Sequence, residues 1–532
     1  MGADFSRVRF NPLRDYAGVE LQQGRVLTDA DANELMAITD RRLRALASDM
    51  FGRATASSTT PDAFKITVAK GALLIGKGRL YVDGLLAENH GATSTDPAKR
   101  LFDDLLGEPR FADPVRYDTQ PYLPNAPALP TAGRHLVYLD VWDREVTHLE
   151  QPDLIDSALG VDTTSRVQTV WQVRALANDA GAGITCGSPD ANVPGWRAVI
   201  APSTGVLSTG TSGGYRGLEN QLYRVEIHDA GQPGAGATFK WSRDNASMGS
   251  RVASVISRTE LELETLSRDK LHFNIGDWVE IIDDVRELSQ APGEMRRITV
   301  IDATRRIQFT PALPTAMLPG SFPDSVFPRV RHLRVRRWDQ KGQVFRSDPD
   351  GMPVQVQDLD ATGSTGLIAV PAAGVTLLLE NGATVSFASM GTAGFRAGDY
   401  WVFAARTADA SVEILDSAPP RGIHHHYARL GLLDVAAGTV TDCRNSWPPR
   451  GGDGSTGDRL ALGSAIAGGA IAAALIETLF DKGVLTLEES RTVFDRALRN
   501  VSLHHQADGA REAADIIGSL MRGRFSMPRE AP

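Results

Sequence analysis

Past Gly52 the apolar residues of this chain come in short runs, set apart by segments rich in glycine, proline, asparagine and aspartate. Phe64 to Val68, Arg79 to Val82, His135 to Trp142, Val167 to Arg174 and Leu222 to His228 are such runs. Trp278 to Ile282, Arg296 to Ile301, Val375 to Leu379 and Tyr400 to Ala404 continue the pattern. Apolar runs of about 4–8 residues are strand-length. Strands at this spacing, with turn residues between them, select sandwiches or small barrels over alternating α/β folds. The expected fold is therefore mainly β and multidomain, built of sandwich or barrel-like modules. The 51 glycines and 29 prolines supply the turns. Pro109 to Pro130 reads as a long loop, and Gly205 to Gly217 as a flexible or tightly turning segment.

One clear amphipathic helix precedes the strands. Thr28 is placed as its N-cap with Asp31 three residues on, and Gly52 stops it. Leu35, Ile38, Leu43, Leu46 and Met50 recur at spacings of three to five and predict one apolar stripe for docking, over roughly 29–51. A second helical pattern follows a linker at 448–457, where Thr486 to Glu489 spells a capping box. The predicted organisation is an N-terminal docking segment (1–60), β domains at 61–204, 205–345 and 346–450, and a small helical appendage at 458–532.

The charge balance excludes some partners. With 56 basic and 65 acidic residues the net charge is −9, which disfavours bulk affinity for nucleic acid or membrane. Ala461 to Ile476 is uncharged but short of the roughly 20 residues that a membrane span needs. No apolar core follows a basic start at the N-terminus, so no signal peptide is expected. Two cysteines, Cys186 and Cys443, are too few for a disulfide scaffold, and a reducing cytosol is the expected folding compartment.

Several motifs approach known chemistry and miss a required residue. Gly71 to Gly78 ends in glycine where a phosphate-binding loop needs Ser or Thr. Asp29, Asp31 and Asn33 start like a calcium loop, but Glu34 stands where the turn needs glycine. Gly210 to Gly214 matches a nucleophile elbow without the strand and helix that make one. No cofactor and no catalytic residue is assigned. His424 and His426, two apart, would share a strand face and are the candidate metal ligands, with a homo-oligomer able to bring several pairs to one axis. Arg329, Arg331, Arg334, Arg336 and Arg337 form the one basic patch, suited to single-stranded nucleic acid, to anionic sugars, or to carboxylates within the chain or on a partner. Phe273 to Val279 and Phe395 to Trp401 share a Gly-Asp turn before an aromatic strand, which raises a duplicated module.

Longer runs carry a resemblance. They include Asp4-Phe5-Ser6-Arg7, Leu21-Gln22-Gln23-Gly24-Arg25-Val26, His135 to Trp142, Leu218 to His228, Phe239-Lys240-Trp241-Ser242-Arg243 and Gly422 to Ala428. Over residues 4–450 the chain resembles a family of bacterial proteins of unknown function, some encoded near phage-tail-like contractile injection systems. The resemblance implies a structural or accessory component of such an assembly, a baseplate or tail-fibre protein. Its partners would be other proteins, and it would be made and assembled in the cytoplasm and carried in a released particle. The rival expectation is a β-rich surface protein that binds or cleaves carbohydrate, with exposed Trp and Tyr stacking on a surface glycan. A third is a metal-binding protein using the histidines.

Overall fold

The computed structural model describes residues 2–103, 108–264, 273–302, 305–319, 331–348, 352–447, 482 and 486–503. The chain divides into two compact units, Met1–Asn445 and Ser446–Pro532. The fold is mainly β and multidomain, with the N-terminal helix at Asp29–Phe51 and a C-terminal helix at Leu487–Leu503.

The first unit is nested. Its outer layer is an antiparallel sheet in the order Arg166–Ala175, Arg134–Val146, His426–Asp434, Thr439–Asp442. The register pairs Val141 with both Trp171 and His426. Val137, Leu139 and Val141 point to one core, together with Phe64, Leu80 and Trp171. Leu136 and Tyr138 point to the other, with Trp196 and Leu432. Burial on both faces explains why this run is almost continuously apolar. Between the strands 166–175 and 426–434 the chain inserts a sandwich of two five-stranded sheets. One holds Gly205–Thr211 and Ala383–Ser389; the other holds Thr238–Ser242, Gln221–Asp229 and Tyr400–Arg406. Tyr223, Phe239, Phe387, Trp401 and Phe403 fill the space between them. Between the sandwich strands 238–242 and 343–347 the chain inserts a closed six-stranded barrel. Its strands lie within 249–338, and its core contains Val279, Ile281, Ile298 and Phe309.

These pairings cross the expected boundaries. Strand 205–211 bonds to 383–389 and strand 134–146 to 426–434, so the blocks 205–345 and 346–450 do not coincide with the sheets. The Gly205–Gly217 segment also departs from expectation, because its first half is a paired strand. Glycine is required at 205 because a Cβ there would stand 2.1 Å from the Phe395 ring. The repeated Gly-Asp sequences are a shared turn. Asn274 N–H donates to Asp277 Oδ2, and Arg396 N–H to Asp399 Oδ2, both at 2.8 Å. Gly276 and Gly398 supply φ of 94° and 85°. One turn belongs to the barrel and the other to the sandwich, so no module is duplicated.

Cys186 and Cys443 are joined in a disulfide across 257 residues, in contrast to the expected free thiols. The bond ties the loop after strand 166–175 to the end of strand 439–442. In the second unit the capping box forms as read: Glu489 N–H donates to Thr486 Oγ1 at 3.2 Å, and Thr486 N–H to Glu489 Oε2 at 2.8 Å. The linker 448–457 and Ala461 to Ile476 lie outside the described residues. Among those described, no helix is long and apolar enough to cross a membrane.

Candidate functional site

The N-terminal residues are stitched into the body. Gly2 is buried where a Cβ would stand 1.9 Å from the Asn245 carbonyl oxygen. Asn245 Nδ2 donates to the Ala3 carbonyl at 2.9 Å, and Arg406 Nη2 to the Ser6 carbonyl at 2.8 Å. Ser6 N–H and Oγ–H both donate to Asp29 at the start of the helix, at 2.9 and 2.7 Å. Burial alone would raise the Asp29 pKa, but these hydrogen bonds hold it below the usual carboxylate value. Asp31 is engaged as well, by Arg9 and by the Thr28 cap. The carboxylates that began like a calcium loop are thus spent on fastening the helix.

Beneath this strap lies a cavity of about 1100 Å³, where helix, outer sheet, sandwich and barrel converge. Phe5 and Phe10 of the strap, Met36 of the helix and Ile423 contribute apolar wall. Its floor is a ladder of buried ions. Lys240, 1% exposed, reaches Glu280 at 2.6 Å and Glu226 at 3.2 Å. Arg224 closes on Glu226 at 2.7 Å, with its guanidinium 3.7 Å from the centre of the Tyr400 ring. Trp338 Nε1 and the Gly293 N–H donate to Glu280 at 3.1 and 3.0 Å. Burial pushes both glutamates up, yet Lys240 and the arginines overcome it: Glu226 is held at about 2 and Glu280 well below its usual value. The neighbouring His228 is pushed down to about 4, first by burial and then by Lys240. Asp399 moves the other way, up to about 6, because burial outweighs its hydrogen bonds from Ser203 and the Arg396 N–H.

The arginine patch is interior. Arg334 is fully buried among Glu150, Asp284 and Glu287. Arg331 pairs with Asp283, Arg336 with Glu226 and Arg337 with Asp339. Of the expectations for these residues, pairing with carboxylates of the chain is the one the four described arginines meet; Arg329 lies outside the described residues.

The histidines differ from expectation too. The strand begins at His426, so His424 lies in the preceding loop and the two share no strand face. His426 Nδ1 meets Asp83 at 3.1 Å and its Nε2 meets Arg44 at 3.2 Å, which occupies both ring nitrogens. His424 is pushed below its ordinary value by burial and by His426. Among the described residues no group of three or more His, Cys, Asp or Glu is placed to hold a metal ion. His425 is the histidine that sequence reasoning passed over. Its Nδ1 lies 2.7 Å from Asp140, and its ring packs 4.7 Å from Trp142, tying the cavity wall to the outer sheet.

The predicted stripe divides. Ile38 is buried at 3% exposure, Leu46 and Met50 are half-buried, and Leu35 and Leu43 are 40% and 53% exposed. Ahead of the helix Leu13, Tyr16, Leu21, Val26 and Leu27 are all more than half exposed. Seven of the eight tryptophans are buried, so they offer no ring for stacking on a sugar, whereas Tyr16 is 55% exposed.

No curated protein and no solved structure matches the chain. Residues 1–185 and 191–465 match a family of unknown function, and with that span the chain belongs to this family, DUF6519.

Proposed function

We propose that the chain is a structural or accessory component of a larger protein assembly and acts by docking through its N-terminal helix and arm. The observation that carries this reading is the run of exposed apolar side chains from Leu13 to Leu43. Exposed apolar surface in excess of a few hundred Å² marks interaction sites on soluble proteins. The strap is hydrogen-bonded to the body at Ala3 and Ser6 and to the start of the helix at Ser6 and Arg9. The proposed assembly is a phage-tail-like contractile particle, on the strength of the runs in the sequence. The Cys186–Cys443 bond suits a component that leaves a reducing cytosol in a released particle. Burial of the tryptophans speaks against the carbohydrate reading. The paired ions of the cavity are assigned no reaction.

The test is recovery of Leu43→Asp with purified particles. The variant is expected to melt like wild type and to be lost from the particle fraction. Recovery equal to wild type, or absence of the wild-type chain from any larger assembly, contradicts the proposal.

A further inference from the structure

We propose that the Cys186–Cys443 bond is a reversible redox latch, open in a reducing compartment and closed by oxidation to lock the inserted sandwich onto the outer sheet. The proposal goes beyond the docking reading and stands or falls independently of it. Three observations carry it. First, the bond lies at the neck of the insertion. The chain leaves the outer sheet at Ala175 and returns to it at His426. Cys186 follows the outgoing strand, and Cys443 follows Thr439–Asp442, the last strand of the returning pair. One bond across 257 residues therefore encloses the whole sandwich and barrel.

Second, the latched segment reaches from the outer sheet to the sandwich. On the sheet side Arg429 donates to the Cys186 and Ser188 carbonyls at 3.2 and 2.7 Å, and Trp196 packs 5.0 Å from Tyr138. On the sandwich side Arg396 Nη2 donates to the Val199 carbonyl at 3.4 Å, and Ser203 Oγ–H to the Gly394 carbonyl at 3.2 Å. None of these contacts uses the sulfurs, so they hold the two thiols near each other after reduction, as re-closure requires. Third, the sulfurs are within reach in the folded state. Both cysteines are half-buried and line a cavity of about 230 Å³. Disulfides that an attacking thiolate can reach are the labile, regulatory ones.

A dithiol opens the latch in two exchanges. Its first thiolate bonds to one cysteine sulfur and expels the other; its second thiolate then displaces the sulfur still held. Two electrons and two protons pass from the reductant, which ends as a cyclic disulfide, to the cysteines, which end as thiols. Oxidised glutathione closes the latch again by taking the same two electrons and two protons.

The test treats the native full chain with excess dithiothreitol and then with a polyethylene-glycol maleimide, which adds mass at each free thiol. The expected result is two additions with an unchanged far-ultraviolet circular dichroism spectrum, and none after oxidised glutathione. Reduction is expected to lower the melting temperature by several degrees, because the enclosed loop is long. Amide exchange across residues 186–203 is expected to speed up roughly tenfold. Cys186→Ser/Cys443→Ser is expected to melt like the reduced chain, with or without dithiothreitol. Labelling that needs denaturant marks a sealed bond and overturns the proposal. Reduction that unfolds the chain, or that oxidised glutathione does not reverse, overturns it as well, and so does a reduced chain that melts and exchanges like the oxidised one.

Discussion

Lys240 is the residue on which the interior charges turn. It sits on a sandwich strand, is 1% exposed, and satisfies Glu226 of the same module and Glu280 of the barrel. A charge removed so fully from water is tolerated only when its partners are this close. His228, beside it, adds a dependence on pH. Its folded value of about 4 lies below its ordinary 6.5, so between these values the unfolded chain binds a proton that the folded chain does not. Stability from this group is full above pH 6.5 and lost as pH falls to 4, by about 3 kcal/mol at most. Asp399, raised to about 6, works in the opposite sense, because the folded form holds the extra proton and loses that advantage as pH rises through 6. Urea unfolding of wild type against His228→Gln separates the two: the difference in stability should shrink by a few kcal/mol as pH falls from 7 to 4. A pH-independent difference contradicts the assignment. None of this was legible in sequence, where His228 ends an ordinary strand run and Lys240 looks like a surface residue. Only the packing of the barrel against the sandwich puts both inside.

At the scale of the element, the helix shows what a periodic pattern tells and what it hides. Thr28, Asp31 and Gly52 marked its ends correctly, with Asp31 N–H bound to Thr28 Oγ1 at 3.3 Å. The apolar stripe was legible, but its spacings of three to five were too loose to define a single face. Ile38 and Leu43 stand about 140° apart around the axis, and Ile38 is buried beside Phe10 and Tyr16 of the strap while Leu43 is exposed. Ile38→Ala should therefore cost about 2–4 kcal/mol, whereas Leu43→Ala should change the stability of the isolated chain by less than about 0.5 kcal/mol. Chemical denaturation of the two variants checks this, and equal losses would place Leu43 in the fold. The arginines on strand 334–338 make the same point for a sheet. Arg334 and Arg336 alternate as a half-exposed strand would have them, yet both are buried against carboxylates from elsewhere in the chain. Their type and spacing were visible; their partners were not.

For the molecule as a whole, the strands were legible in the sequence and their order was not. A sandwich inserted in one domain, with a barrel inserted in the sandwich, pairs strands separated by more than 200 residues, and such pairing leaves no periodic trace. The two cysteines were its one long-range signal, and their low number made them look unrelated. The strap and the helix carry the exposed apolar side chains from Leu13 to Leu43, which we propose form one docking surface. The central claim is that this surface is an interface. A density map of purified particles tests it most directly. The account predicts density for this chain, with the stripe Leu35–Thr39–Leu43 packed against a neighbouring chain. Particles that lack the chain, or that hold it with this stripe facing solvent, would contradict it.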